Sequence, residues 1–327
     1  SLYDAFIKIK NGEKIDGVIH GEAIDNLDEI PFPARHLINV MDYAREEQQR
    51  KFGPELMPWA TMLGSRGCPF KCTFCSIPVI NHKVRYRDPK PIVDEMEAIY
   101  DQCGGKYSFV DDVLTLNKNT TMGLCDEIIS RGFSKKFRWL GMTRAEILNE
   151  ELVARMAEAG CSDLFFGIES GNERVRSEVI DKKISNKEIK DTVQMCKKYG
   201  IHTSFLLMIG FPSETEETFK QTMDFIPKLR PDSVIFSIFT PYPGSDLYYE
   251  CKDEGIIEGD FDLALYNHQS PLNCFTKNIP KERFYELRKK AVKFVDKYNR
   301  KSKLRRGVAS LRNIRIIATF WKAMSYI

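Results

Sequence analysis

The chain has 327 residues, 43% hydrophobic and 29% charged, with nine cysteines and a formal net charge of +3. That balance suits one large globular catalytic domain with small appendages, and no run of about 18 uncharged apolar residues argues for a spanning helix. The charge is uneven: residues 281–327 hold 15 Lys/Arg against 3 Asp/Glu, leaving 34 basic and 43 acidic residues elsewhere, so the chain as a whole does not read as a nucleic-acid binder.

In chain order, residues 1–56 are irregular and proline-punctuated, with 28–35 reading as an extended connector. From residue 57 to 255, strands and helices alternate. Short apolar runs predict strands at 59–63, 107–110, 138–141, 163–167, 203–208 and 233–239. Apolar residues at three- and four-residue spacing predict helices at 91–101, 121–131, 150–159, 186–199 and 214–228. Asn149 stands where an N-cap belongs, and Gly160 and Gly200 where helices should stop. Six such units predict an α/β fold with a parallel sheet and crossover helices, which either curls into a partial (β/α)6 TIM-like barrel or stays open and doubly wound. A C-terminal extension at 256–302 includes a charged helical pattern, and a basic amphipathic pattern follows at 303–327.

The N-terminus carries no secretory signal. An odd number of irregularly spaced cysteines does not read as a disulfide framework. A reducing cytoplasm is the expected location. Six of the cysteines are scattered singly and read as packed thiols. The other three, Cys68, Cys72 and Cys75, crowd into eight residues just after the first predicted strand, where α/β folds build their sites. Zinc would want a fourth ligand, such as His82, but structural zinc sites pair two knuckles and no second pair exists. A cubane iron–sulfur cluster with three cysteine ligands, leaving one iron open, is the favoured reading.

Polar groups also follow the other predicted strands. They are Asp111-Asp112, Thr143-Arg144-Ala145-Glu146, Gly167-Ile168-Glu169-Ser170, Ile209-Gly210 leading to Glu214, and Pro241-Tyr-Pro-Gly244. Singly each is loop punctuation; five in register along one sheet edge outline the mouth of a site.

A CxxxCxxC loop after the first strand of a six-fold βα repeat, with Phe74 before the last cysteine, resembles the radical S-adenosylmethionine (SAM) superfamily. The resemblance implies a 4Fe-4S cluster on Cys68, Cys72 and Cys75 whose open iron chelates SAM. It implies Asp111 or Asp112 at the methionine amino group, and Glu169 and Ser170 near the ribose and methionine portions. Phe74, Ile209 and Gly210 would lie near adenine, and Arg144 would pair with the SAM carboxylate or a substrate acid. Ser213 departs from the glycine often found in such relatives.

The strand-end loops and the connector 27–33 are similar to the cobalamin-associated branch, which includes the anaerobic magnesium-protoporphyrin monomethyl ester cyclase. That branch implies methylation or cyclisation of a small-molecule substrate, with a flavodoxin or ferredoxin as reductant, while the basic tail at 303–327 would fit a lipid-like one. Residues 1–22 are too few for a cobalamin-binding domain and no Asp-x-His-x-x-Gly appears, so either cobalamin comes through a domain absent from this chain or the enzyme works without it. The competing expectations are a transfer-RNA methylthiotransferase and a non-enzymatic iron–sulfur or zinc module. The basic tail is read as a peripheral membrane contact.

Overall fold

The structure is a computed structural model that describes residues 2–17, 23–38, 59–81, 83–257, 270 and 272–324, with side chains described as far as Arg305 in the last helix. Eight strands occur among them: β1 (Ala60–Met62), β2 (Ser65–Arg66), β3 (Arg85–Tyr86), β4 (Lys106–Phe109), β5 (Arg138–Thr143), β6 (Cys161–Glu169), β7 (His202–Ile209) and β8 (Ser233–Ile238). Six of them form one sheet in the order β1-β4-β5-β6-β7-β8, every pair parallel. Parallel neighbours in chain order need a crossover between each pair. The helices Pro89–Ala98, Lys118–Ser130, Glu150–Glu158, Asn186–Lys198 and Glu216–Leu229 supply those crossovers, each touching the next across one face of the sheet. The result is the TIM-like α/β architecture the alternation predicts, and among the described residues no ladder joins β8 back to β1.

The strands alternate between two environments. Tyr107, Phe109, Trp139, Leu164, Phe166, Phe205 and Leu207 are buried against Ile92, Met96, Leu124, Leu152, Met156 and Ile189 from the helices. The opposite side chains point to the concave face and stay partly exposed.

Local signals set the boundaries. The Asn149 side chain accepts the Leu152 N–H at 2.9 Å, one of the orphan donors of a helix start. Gly160 has φ +91°, and a Cβ there would lie 2.2 Å from the Phe137 carbonyl oxygen, so only glycine admits that close approach. The helix predicted at 91–101 is two, because Ile99 leaves helical geometry before Tyr100–Cys103 begins. The helix predicted from Glu214 starts at Glu216, with Thr215 as its cap.

Both sheet edges are covered, as exposed edges would otherwise invite pairing. On β1, Arg35 from the connector donates to the Thr61 carbonyl at 2.6 Å. Arg35 and Arg87 both donate to the buried Glu95 carboxylate, at 2.5 and 2.6 Å. On β8, Asn299 takes the Val234 N–H at 3.0 Å and returns its amide to the Val234 carbonyl at 2.9 Å. Asn299 belongs to a helix of 44 residues, Lys281–Met324. That helix buries Phe284, Leu287, Ala291, Val295 and Tyr298 at helical spacing and runs from the charged pattern into the basic one, as far as Met324, without a break. Among the described residues, no helix is long and apolar enough to cross a membrane.

Candidate active site

The three cysteines sit on the segment between β2 and β3, whose two-residue antiparallel ladder pinches its neck. Strands this short carry no periodic signal, so the sequence does not announce them. Gly67 has φ +92°, and a Cβ there would come within 2.7 Å of the Lys83 carbonyl oxygen. The neck therefore closes only around glycine. At the far end the loop is clamped by the strand-end segments of β6 and β8. Thr73 donates its hydroxyl to the Val179 carbonyl at 2.7 Å and accepts the Leu247 N–H at 2.9 Å. Ser76 donates to the Pro243 carbonyl at 2.9 Å.

The Asp111-Asp112 pair divides its work. Asp111 is buried and accepts the Gly64 N–H at 3.0 Å and the Ser65 hydroxyl at 2.6 Å, which ties it to the neck. Asp112, half-buried, accepts the Gly67 N–H at 3.1 Å and lies near Cys68 and Cys75. Burial pushes both thiols above the ordinary value; backbone donors at Phe70 and Ile77 pull the other way, and the neighbouring thiol of Cys72 raises both further.

Arg144, 7% exposed, stands at the end of β5 with its guanidinium 3.7 Å from the Phe70 ring centroid. It donates to Cys72 Sγ at 3.4 Å and to Glu146 Oε1 at 2.5 Å. The other Glu146 oxygen is buried without a partner. At the end of β6 a register shift precedes Glu169, which sits at φ +64°, a strained backbone for a residue with a side chain. Its buried carboxylate meets Lys182 Nζ at 3.4 Å. A Cβ on Gly167 would lie 2.5 Å from Glu169 Oε1, so the ion pair fills the space that the glycine leaves. Burial raises the Glu169 carboxyl, against the opposing pull of Lys182 and then Arg144.

The remaining residues singled out from the sequence are placed differently. The Ser170 hydroxyl lies 3.3 Å from that of Thr222 and accepts the Asn172 N–H at 3.1 Å. The Ile209 side chain is buried with Phe219, Ile238 and Phe284 on the helix side, and its carbonyl accepts the Phe239 N–H at 2.8 Å. Gly210, at φ +88°, donates its N–H to Glu214. Phe74 packs edge-on to Phe211, 6.4 Å between centroids. Ser213 Oγ is buried without a partner.

Glu214 is pushed up to about 8 by burial, against the pull of the Gly210 N–H. The folded chain thus holds this proton up to about pH 8, whereas the unfolded chain releases it near the ordinary 4.5. Between those values the fold binds more protons, so stability falls as pH rises, by at most about 1.4 kcal/mol per unit. Glu214→Gln is expected to flatten that slope in urea unfolding followed from pH 5 to 8.

Lys182 is the residue sequence reasoning misses. It lies in Asp181-Lys182-Lys183, which reads as a solvated charge run, and Lys183 beside it is indeed 80% exposed at its side chain. Arg176 is missed too: fully buried, it ties the segment together by donating to the Ser170 carbonyl at 2.7 Å and the Ile184 carbonyl at 3.1 Å.

Among the described residues, no three His, Cys, Asp or Glu side chains close on a point as the ligands of one metal ion would. The fourth ligand that the zinc reading calls for, His82, lies outside the described residues. Three half-buried free thiols with backbone N–H donors and an arginine donor fit a cubane iron–sulfur cluster.

The sequence profile of the radical SAM superfamily matches residues 62–226. The chain is 35% identical to an uncharacterized methyltransferase of Pyrococcus horikoshii, over 69% of this chain and 47% of that protein. It is 30% identical to the anaerobic magnesium-protoporphyrin IX monomethyl ester cyclase of Cereibacter sphaeroides, over 64% of this chain and 34% of that one. A radical SAM methyltransferase from Kitasatospora setae, solved with cobalamin and a [4Fe-4S] cluster bound, shares the fold. Its TM-score is 0.56 at 22% identity, covering 60% of this chain and 39% of that one. The chain spans about a third to a half of the length of these curated relatives. With the profile matching half its residues, the chain belongs to the radical SAM superfamily, enzymes that work with a 4Fe-4S cluster and S-adenosylmethionine.

Proposed function

We propose that Cys68, Cys72 and Cys75 hold the cluster, that SAM binds beside them, and that the reaction begins with hydrogen abstraction from a small-molecule substrate. The observation that carries this reading is the group of three half-buried thiols joined to the strand ends by Arg144, which hydrogen-bonds Cys72 and, against the upward push of burial, lowers the Glu169 carboxyl electrostatically. When bound, such a cluster supplies the electron that splits SAM into methionine and the 5′-deoxyadenosyl radical, which takes a hydrogen atom from the substrate.

The chain's own residues bind and orient. Asp112, beside the thiols, suits the methionine ammonium, since Asp111 is taken up by the loop neck. Glu169 suits an ammonium or ribose hydroxyls, and Lys182 a carboxylate. Phe74 and the backbone at Ile209–Gly210 offer an apolar wall for adenine. Ser170 stands next to Glu169 at the ribose side, with its hydroxyl engaged by Thr222 and the Asn172 N–H.

On the names of the relatives, the net reaction is methylation or cyclisation. We assign cobalamin, bound in the Kitasatospora structure, to a domain not present in this chain, and electron delivery to a flavodoxin- or ferredoxin-type reductant. Anaerobic reconstitution with iron and sulfide, then reduction, is expected to yield 5′-deoxyadenosine from added SAM, and Cys72→Ala to abolish both the visible absorption and the product. A reconstituted chain with no iron–sulfur absorption would overturn the reading.

The domain divisions at 56, 255 and 302 belong to the same proposal. So does a membrane role for 303–327, supported by the basic surplus of 281–327 and by Leu304, 70% exposed. Deleting 303–327 is expected to abolish co-sedimentation with anionic vesicles; unchanged sedimentation would refute that role.

A further inference from the structure

The concave face of the sheet has a composition that the cluster chemistry does not require. Its charged side chains stand at the strand starts, where Lys106 pairs in register with Arg138, and Asp163 with His202. Above them the face changes character. Val110, Leu140, Met142, Phe165, Leu206 and Ile235 project from five consecutive strands or their ends. None joins the buried core: Val110 is 51% exposed and Met142 37%, and the other four are partly exposed. The polar side chains between them are serines, of which Ser204 and Ser233 satisfy each other at 2.6 Å. No Asp, Glu, Lys, Arg or His occupies a strand position on this face between Asp163 and Glu169.

This apolar stretch runs directly into the proposed site. Val110 precedes Asp111, Met142 stands two residues before Arg144, and Phe165 four before Glu169. A charged group lying on this stretch would lose water and meet no counter-charge short of Arg144 and the already paired Glu169 and Lys182 at its upper end, a cost of several kcal/mol. A hydrocarbon would exchange water for apolar contact. We propose that the concave face binds an uncharged hydrocarbon segment of the substrate, and that the carbon losing hydrogen belongs to that segment. The inference rests on the reading of the site given above and adds the substrate's chemical class.

The test needs neither cluster nor SAM, so its failure is distinguishable from a failure of SAM cleavage. The full chain is titrated with the neutral fluorophore N-phenyl-1-naphthylamine, with n-decanol as competitor. One saturable site displaced by decanol is expected. Met142→Glu and Leu206→Glu should each weaken binding about tenfold or more by placing a charge on the face, whereas Leu37→Glu, on the connector, should not. Should either face variant fail to fold, a decyl diazirine photolysed on the unaltered chain decides the matter, with label expected in peptides spanning 138–143 and 202–209. Binding unaffected by the face variants, label confined to the connector, or no saturable site would overturn the proposal.

Discussion

Lys182→Met is expected to cost the fold about 3 kcal/mol, the lower end for stripping one partner from a buried ion pair. The pair is 3.4 Å apart with both side chains nearly out of solvent, so the remaining Glu169 carboxylate would be desolvated with only Arg144 as a distant counter-charge. Urea unfolding should show the loss as a lower midpoint with unchanged slope. The double variant Lys182→Met/Glu169→Gln should recover most of it, because no charge is then left buried alone. A purely structural pair would leave SAM affinity untouched once stability is restored. If the pair holds SAM, the double variant stays folded yet binds SAM weakly in equilibrium dialysis.

Arg144→Gln is expected to move the potential of the reconstituted cluster to more negative values by about 60 mV or more, a decade in equilibrium constant for one electron. Reduction adds negative charge to the cluster, and Arg144 offers both a positive charge and a hydrogen bond to Cys72 Sγ at 3.4 Å. The guanidinium is held there by its stack on Phe70 and its bond to Glu146. Arg144→Lys keeps the charge and loses the planar fork and stack, so an intermediate shift is expected. An EPR-monitored redox titration reads these values directly. An unchanged potential in Arg144→Gln would show that the guanidinium does not act on the cluster.

Several parts of the molecule were legible in the amino-acid order because their causes are local. Alternating apolar runs and three-to-four spacing depend only on which side of a strand or helix faces the core, so all six sheet strands and the crossover helices could be read within a few residues. Asn149, Gly160 and Gly200 act on the backbone beside them. The three cysteines lie within eight residues, close enough for spacing alone to bring them to one loop.

What the sequence could not supply are the contacts between distant residues. Asp111 and Asp112 are neighbours in the chain, and only the position of the loop neck gives one a structural task and leaves the other beside the thiols. Ile209 and Gly210 mark a strand end correctly, yet burial of the Ile209 side chain among the helices leaves only backbone there for a ligand. Lys182 and Lys183 are chemically identical, and the turn through Asp181, at φ +47°, sends one into the core and the other into water. The order of residues determined the elements and the cysteine loop, since those arise from interactions a few residues apart. The tertiary structure alone decided which charges meet and which apolar face stays partly exposed, because those choices depend on strands and turns separated by tens of residues coming together at one edge of the sheet.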